Sequence, residues 1–92
     1  MNHSISVHPG AVLLDELGER GITQAALAAH IGCLPKTINE ICRQKRGISA
    51  EMAVRLSRAL GASPEFWLNL QKNWELSQVP VATGKGIKPL AA

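Results

Sequence analysis

The chain has 92 residues, of which 46% are hydrophobic and 18% are charged, and this composition indicates one compact folded domain rather than a disordered chain. No run approaches the roughly 20 apolar residues of a membrane span, and the start, Met1–Ser4, has neither a basic run nor the apolar core of a signal peptide. Cys33 and Cys42 stand where apolar residues would serve, as reduced, buried thiols do. We therefore expect a soluble cytoplasmic protein.

The net charge of +3 comes from one short stretch, between Leu34 and Ile48. The charged residues of this stretch are four cations and one acid: Lys36, Arg43, Lys45, Arg46 and Glu40. Cations and acids balance over the rest of the chain. A local excess of this kind is typical of a surface that contacts phosphate groups. An ordinary solvated face would have the same composition, so charge alone leaves both interpretations open.

Start and stop signals divide the chain into five predicted helices, and no segment has the strict alternation of a half-buried strand. The predicted spans are about 9–19, 24–31, 35–43, 50–60 and 64–76. The suitable N-caps and left-handed stops are Thr23, Ser49, Ser63, Gly32 and Gly61. By contrast, Leu34 is a poor N-cap for the third helix.

The regions outside this helical pattern are predicted to be flexible. Residues 1–8 form an N-terminal arm, residues 9–77 the folded domain, and residues 78–92 a C-terminal tail. The tail has prolines and glycines between positions 79 and 89 and no helical periodicity.

The second and third predicted helices have the pattern of a helix-turn-helix, in which two helices cross steeply over a short turn. The residues that this geometry requires are in register: Leu27, Ala28, Ile31, Gly32, Ile38 and Ile41. Ala28 is small enough for close contact between the helices, and Gly32 lacks the Cβ atom that would oppose the turn. A plain helical hairpin is the alternative, although the cationic stretch that follows favours the helix-turn-helix.

The residues Thr23–Ala28 and Ile38–Ile41 resemble the Xre/Cro family of helix-turn-helix proteins. The resemblance implies an all-α, five-helix phage-repressor-like (lambda repressor-like) fold whose third helix enters the major groove of DNA. Its outward-facing residues would then be Pro35, Lys36, Thr37, Asn39 and Glu40.

The chemistry of these side chains suits the edges of base pairs. Lys36 can donate to guanine, Asn39 can pair with adenine, and Glu40 can accept from cytosine N4. Thr37 can contact a thymine methyl group or a phosphate. Glu40 would otherwise be repelled by DNA, so we expect a base donor or Arg43 to compensate its charge. Lys36 and Asn39 would also be suitable as solvated surface residues.

Other residues are predicted to contact the phosphate backbone. Gln24 lies at the positive N-terminal end of the second helix, where its amide and the exposed backbone N–H groups can hold a phosphate. Arg43, Lys45 and Arg46 follow the third helix and should contact the backbone without reading sequence.

Three further segments are similar to the HigA branch of antitoxins: His8–Gly10, Arg46–Ala50 and Gly61–Gln71. The resemblance implies a type II toxin–antitoxin module. Its antitoxin silences a HigB-like mRNA endonuclease toxin and represses its own operon. A stand-alone Xre-type repressor, of phage or plasmid-maintenance type, is the alternative. The toxin could contact the N-terminal arm, the first helix or the tail, and the sequence does not select among them.

The fifth predicted helix carries an apolar stripe that a small core cannot easily cover, made of Phe66, Trp67, Leu70 and Trp74. Exposed apolar patches usually mark an interface, and operator half-sites require a two-fold axis, so we expect a homodimer formed through this helix. At least one of Phe66 and Trp67 is expected to cover the protein's own core.

The sequence gives no support for catalysis or for a bound cofactor. The histidines and cysteines lack the paired spacing of a zinc site, and a chain of this size is not expected to form a substrate pocket. We therefore expect no metal, cofactor, small-molecule substrate or membrane partner.

Overall fold

The computed structural model describes residues 6–91, which form five α-helices and no β-strand. The helices are α1 (Pro9–Arg20), α2 (Gln24–Ile31), α3 (Pro35–Cys42), α4 (Ala50–Leu60) and α5 (Pro64–Gln78). The predicted all-α fold with five helices is therefore confirmed. Within this described part of the chain, no helix has the length and apolar character that crossing a membrane requires.

The predicted capping residues account for most of the helix ends. The side-chain oxygens of Thr23, Ser49 and Ser63 each accept a hydrogen bond from the backbone N–H three residues later. Gly32 and Gly61 end α2 and α4 in the left-handed conformation, with φ of 78° and 92°. Because these hydrogen bonds are local, they fix where each helix begins and ends before any tertiary packing is considered.

All five helices contribute to one apolar core. α2 packs on α3 and α4, α4 packs on α5, and α1 packs on both α3 and α5. Its largest fully buried hydrophobic side chains are Trp67, Leu13, Ile38, Ile41 and Leu56. Since α3 contributes two of these, the core holds α3 firmly by one face and leaves its other face outside.

Two arginines outside the cationic stretch each connect one helix to the C-terminus of another. Arg20 Nη2 donates to the carbonyl oxygen of Leu60 at 2.7 Å, and Arg55 Nη1 donates to that of Ile31 at 2.5 Å. Each guanidinium thus satisfies a carbonyl at a helix C-terminus, where positive charge is favourable. These two cations stabilise the fold. The excess positive charge of the protein therefore remains in the stretch between Leu34 and Ile48.

The structure corrects the predicted flexible arm at its last residue. His8 is only 3% exposed, and its Nδ1 accepts a hydrogen bond from the backbone N–H of Gly10 at 2.9 Å. The imidazole also packs edge-on against Trp74, with the ring centres 4.7 Å apart. His8 therefore belongs to the folded domain as the N-cap of α1. Residues 1–5 of the predicted arm lie outside the described residues.

The chain beyond α5 is exposed and forms turns. Backbone hydrogen bonds join Thr83 to Pro80, Lys85 to Ala82 and Ile87 to Gly84. α5 itself runs two residues past its predicted end, and the Ser77 hydroxyl donates to the carbonyl of Trp74. The flexibility of the tail stays a prediction.

Candidate nucleic-acid interface

α2 and α3 form the predicted helix-turn-helix. The turn begins at Gly32 and is closed by a hydrogen bond from the Cys33 N–H to the Ala28 carbonyl at 2.9 Å. Ala28 is fully buried where the helices meet, and Ile38 and Ile41 are fully buried beneath α3. The predicted inward-facing residues are thus confirmed, apart from Ile31, which is only half-buried. This packing decides which face of α3 is presented to solvent.

The outward face of α3 carries the residues predicted to meet DNA. Pro35, Lys36 and Asn39 are exposed, while Thr37 and Glu40 are half-buried. The side-chain amide of Asn39 donates to Gln24 Oε1 at 3.2 Å. This hydrogen bond brings the start of α2 beside the middle of α3, so a predicted phosphate contact and a predicted base contact lie on one surface.

Glu40 pairs with Arg46 and not with Arg43, which is one of the two partners that the sequence predicts. Its carboxylate accepts from Arg46, at 2.8 Å from Nη2 and 2.9 Å from Nε, and lies 4.0 Å from Lys36 Nζ. The Arg43 alternative is therefore wrong, and a base donor as partner of Glu40 stays a prediction. Arg43 is the exposed C-cap of α3, and the chain reverses after it at Gln44, whose φ is +62°. The reversal carries Arg46 back over Glu40.

The segment from Arg43 to Ile48, here called the basic loop, follows this reversal. Its start is fixed to the end of α3, because the backbone N–H of Lys45 donates to the Glu40 carbonyl at 2.8 Å. Arg43, Lys45 and Arg46 are all exposed. The structure thus places three of the four cations of the stretch at the C-terminal end of α3, and the fourth, Lys36, in its first turn.

The N-terminus of α3 offers few donors to a ligand. Leu34 is 69% exposed and makes no side-chain capping bond, and Pro35 has no backbone N–H. The Thr37 N–H is already bonded to the Leu34 carbonyl. Base contacts from this helix therefore depend on side chains rather than on its free N–H groups.

The predicted dimer stripe is divided between the core and the surface. Trp67 is 1% exposed and lies within the protein's own core, so its assignment to a dimer surface is wrong. Phe66 is 42% exposed and contacts the edge of Trp67, and Leu70 and Trp74 are half-buried. The sequence could not separate these residues, because helical periodicity identifies an apolar stripe without indicating what covers it.

The two cysteines are free thiols, with Cys42 buried and Cys33 half-buried. Burial raises the pKa of the Cys42 thiol, which keeps it protonated and unreactive. Within residues 6–91, no group of three or more histidine, cysteine or acidic side chains is arranged to hold a metal ion.

Comparison with known proteins identifies the class. A family model described as helix-turn-helix matches residues 13–67, which is more than half of the chain. The chain therefore belongs to the helix-turn-helix family, a family of DNA-binding proteins and not of enzymes. Within that family it falls among the HigA-type antitoxins, as the following relatives indicate.

Two solved structures are similar over nearly their whole length. The antitoxin HigA of Pseudomonas aeruginosa, solved with the higBA promoter, is 44% identical with a TM-score of 0.84, covering 94% of this chain and 99% of that one. The antitoxin GraA in complex with its operator is 39% identical with a TM-score of 0.85, covering 100% and 98%. Virulence-associated protein I of Dichelobacter nodosus is 41% identical over 76 residues, or 82% of this chain and 70% of that protein.

Proposed function

We propose that this protein is a DNA-binding antitoxin that represses its own operon as a homodimer and neutralises a HigB-like toxin. One observation carries the DNA-binding part: the core holds α3 by Ile38 and Ile41, so its exposed polar face and the basic loop form one continuous cationic surface. The similarity to HigA and GraA, both solved with operator or promoter DNA, supports the same role.

The outward face of α3 would read base edges in the major groove. Lys36 would donate to guanine and Asn39 would pair with adenine. In the hydrogen bond between Asn39 and Gln24, Nδ2 of Asn39 donates and Oε1 of Gln24 accepts. Asn39 therefore keeps its own carbonyl oxygen for an adenine amino group, and Gln24 keeps its NH2 group for a phosphate.

The basic loop and the start of α2 would contact the phosphate backbone. Lys45 and Arg46 are both exposed, and the Arg46 guanidinium reaches back to Glu40 on α3. Contacts of this kind position the protein on the duplex and make its affinity depend on salt, but they carry no sequence information.

The exposed part of the α5 stripe would form the homodimer. Phe66, Leu70 and Trp74 are spaced four residues apart and share one side of the helix. Pairing two copies across this side would hide the apolar surface and relate two copies of α3 by a two-fold axis, as an operator with two half-sites requires.

DNA binding is tested by comparing two double variants. We expect Lys36→Ala/Asn39→Ala to weaken binding to the operon's own promoter at least about tenfold, because two base contacts are lost. The control is Lys72→Ala/Gln78→Ala, which removes one lysine and one side-chain amide from exposed positions of α5 outside the proposed dimer stripe. Affinity is measured by fluorescence anisotropy, with circular dichroism to check the helices. Equal affinity of both variants would contradict the assignment of α3 to base contacts.

Toxin neutralisation is tested separately, by co-expression with the adjacent reading frame. An antitoxin restores growth to cells that express this partner and co-purifies with it. The second candidate function is a stand-alone regulator, and the similarity to an uncharacterized HTH-type transcriptional regulator of Escherichia coli, 33% identical over 70 residues, favours it. Operator binding without growth rescue or co-purification would select the stand-alone regulator.

A further inference from the structure

One buried polar side chain joins α5 to the basic loop. Gln71, on α5, is 9% exposed, and among residues 6–91 only His8 is another buried polar residue. Its Oε1 accepts a hydrogen bond from the backbone N–H of Ile48 at 2.8 Å, and its Nε2 donates to Glu75 Oε2 at 3.0 Å. A helix that the sequence assigns to dimerisation therefore holds the end of a loop that it assigns to phosphate contacts.

We infer that Gln71 is a positioning residue for DNA binding, which fixes the basic loop so that Lys45 and Arg46 reach the phosphate backbone. The inference rests on the proposed DNA-binding function and adds to it a residue that does not itself touch DNA. The sequence pattern did not single out Gln71, because a glutamine on the core side of a helix is recognised only from its partner 23 residues away.

The loop needs such an anchor because it lies between two helices without a regular hydrogen-bond pattern of its own. Its first residues are bonded to α3, through Gln44 N–H to the Ile41 carbonyl and Lys45 N–H to the Glu40 carbonyl. Its last residue, Ile48, is fixed by the Gln71 amide and by its own burial, at 4% exposure. Lys45 and Arg46 thus lie between two fixed points, which limits the conformations that they can adopt.

The contact at Gly47 brings the loop backbone directly against the Gln71 amide. A Cβ atom at position 47 would lie 2.7 Å from Gln71 Nε2 and 2.8 Å from its Oε1, which is closer than a side chain tolerates. A side chain at position 47 would therefore displace the Gln71 amide, although the backbone there is not left-handed. The hydrogen bond to Ile48 and this close approach at Gly47 place the Gln71 amide against the same part of the loop backbone.

The junction also relates the basic loop to the proposed dimer surface. Gln71 follows Leu70 directly and lies three residues before Trp74 on the same rigid helix. The position of the phosphate-contacting cations is therefore set relative to the helix that would determine the two-fold axis. A dimeric repressor needs this relationship, because the spacing of its operator half-sites is fixed by the geometry of the duplex.

The test uses Gln71→Met in the full chain, which keeps the side-chain length and removes both hydrogen bonds. The matched control is Ser63→Ala, which removes one capping bond at the start of α5 and leaves the loop intact. We measure affinity for a duplex of the operon's promoter and for a random duplex between about 0.05 and 0.3 M salt, a roughly sixfold range. For Gln71→Met we expect about tenfold weaker binding to both duplexes. The slope of log affinity against log salt should flatten by about one to two units, because each lost phosphate contact removes about 0.9. Ser63→Ala should leave the slope unchanged.

Two further variants separate positioning from a general loss of stability. The charge-conserving swap Gln71→Glu/Glu75→Gln keeps an acceptor for the Ile48 N–H and a donor–acceptor pair between the two positions, so we expect it to restore the wild-type slope. Lys45→Ala/Arg46→Ala should weaken binding strongly in the wild type and little in the Gln71→Met background. In the wild type, hydrogen exchange at the Ile48 amide should be slow.

The outcomes are distinct. The positioning role would be overturned by an unchanged salt slope in Gln71→Met, or by equal effects of Lys45→Ala/Arg46→Ala in both backgrounds. If Gln71→Met does not fold, rapid hydrogen exchange at the Ile48 amide of the wild type would overturn it instead. A wild-type protein without salt-dependent affinity for either duplex would instead overturn the proposed DNA-binding function, and the positioning role with it.

Discussion

Gly10, in the first turn of α1, lies directly against the backbone carbonyl of Ile41, near the end of α3. A Cβ atom at position 10 would overlap the carbonyl oxygen of Ile41 and would lie only 2.8 Å from its carbonyl carbon. The absence of a side chain therefore lets α1 support α3 from behind by backbone contact. Since α3 carries the candidate base contacts, this buried glycine determines how closely that helix packs on α1.

The first prediction is that Gly10→Ala destabilises the protein by about 1–3 kcal/mol or more, because α1 and α3 must separate to admit the methyl group. Gly18→Ala is the matched control. Gly18 is also in α1, is exposed, and has no atom within 4 Å of where a Cβ would stand, so alanine should stabilise the helix there by up to about 1 kcal/mol. Urea unfolding checks both. Equal stabilities of the two variants would contradict the close contact at Ile41.

The second prediction concerns pH. Burial lowers the pKa of His8, because the charged imidazolium would lose its hydration in the folded protein. Protonation of Nδ1 would also remove the acceptor for the Gly10 N–H. In the unfolded chain His8 titrates near its ordinary pKa of about 6.5. The stabilisation is therefore complete above pH 6.5 and is lost as the pH falls from there towards the lowered pKa of the folded state. The expected slope is at most about 1.4 kcal/mol per pH unit.

The control for this effect is His8→Asn, because asparagine keeps an N-cap acceptor and does not titrate. Urea unfolding of both proteins is compared at pH 7.5 and pH 5.5 (values that bracket about 6.5). The wild type should lose more stability between the two pH values than the variant. A parallel loss in both would assign the pH dependence to other groups.

The sequence predicted the helices better than it predicted the partners of individual side chains. Thr23 and Gly32 could be recognised because each bonds within its own turn. His8 was placed in the flexible arm because its contact with Trp74 joins residues that are far apart in the chain. Long-range contacts also explain the wrong assignment of Trp67, because its neighbours in the core determine its burial. The ion-pair partner of Glu40 depends on the chain reversal at Gln44, a non-glycine residue that the sequence does not mark as a turn.

The third prediction follows from the uncapped start of α3. Leu34→Ser should stabilise the protein by about 1 kcal/mol, because a serine hydroxyl at the N-cap can accept from a first-turn N–H whereas leucine makes no such bond. The leucine side chain is 69% exposed, so little packing is lost. The control is Leu76→Ser, a similarly exposed leucine within α5, which gains no capping bond. A lower urea midpoint for Leu34→Ser would assign an unrecognised packing role to Leu34.

The fourth prediction tests the proposed dimer surface. Phe66→Gln should shift the protein towards monomer in sedimentation equilibrium, because it places a polar group on the exposed side of α5. Val54→Gln on α4 is the control, since Val54 is 44% exposed and Phe66 42%. Trp74→Ala is less suitable, because it also removes the contact with His8. If Phe66→Gln and Val54→Gln have the same association constant as the wild type, the dimer does not form through Phe66.

The last prediction concerns the one acid in the cationic stretch. Glu40 holds Arg46 and lies near Lys36 in the free protein, and exposed or half-exposed pairs of this kind contribute little stability, up to about 1 kcal/mol. Glu40→Gln should therefore leave unfolding nearly unchanged. It should raise the affinity for random DNA, because a negative charge facing the phosphates is removed and Arg46 is released.

Affinity for the operator distinguishes the two roles of this carboxylate. If Glu40 accepts from a cytosine amino group, as the sequence analysis expects, Glu40→Gln weakens operator binding while it strengthens binding to random DNA, and the ratio between them falls at least about fivefold. Glu19→Gln removes the same charge from the exposed surface of α1 and should leave the ratio unchanged. A rise in affinity for both duplexes with an unchanged ratio would mean that Glu40 acts only by holding Arg46, and that base reading by α3 depends on Lys36 and Asn39.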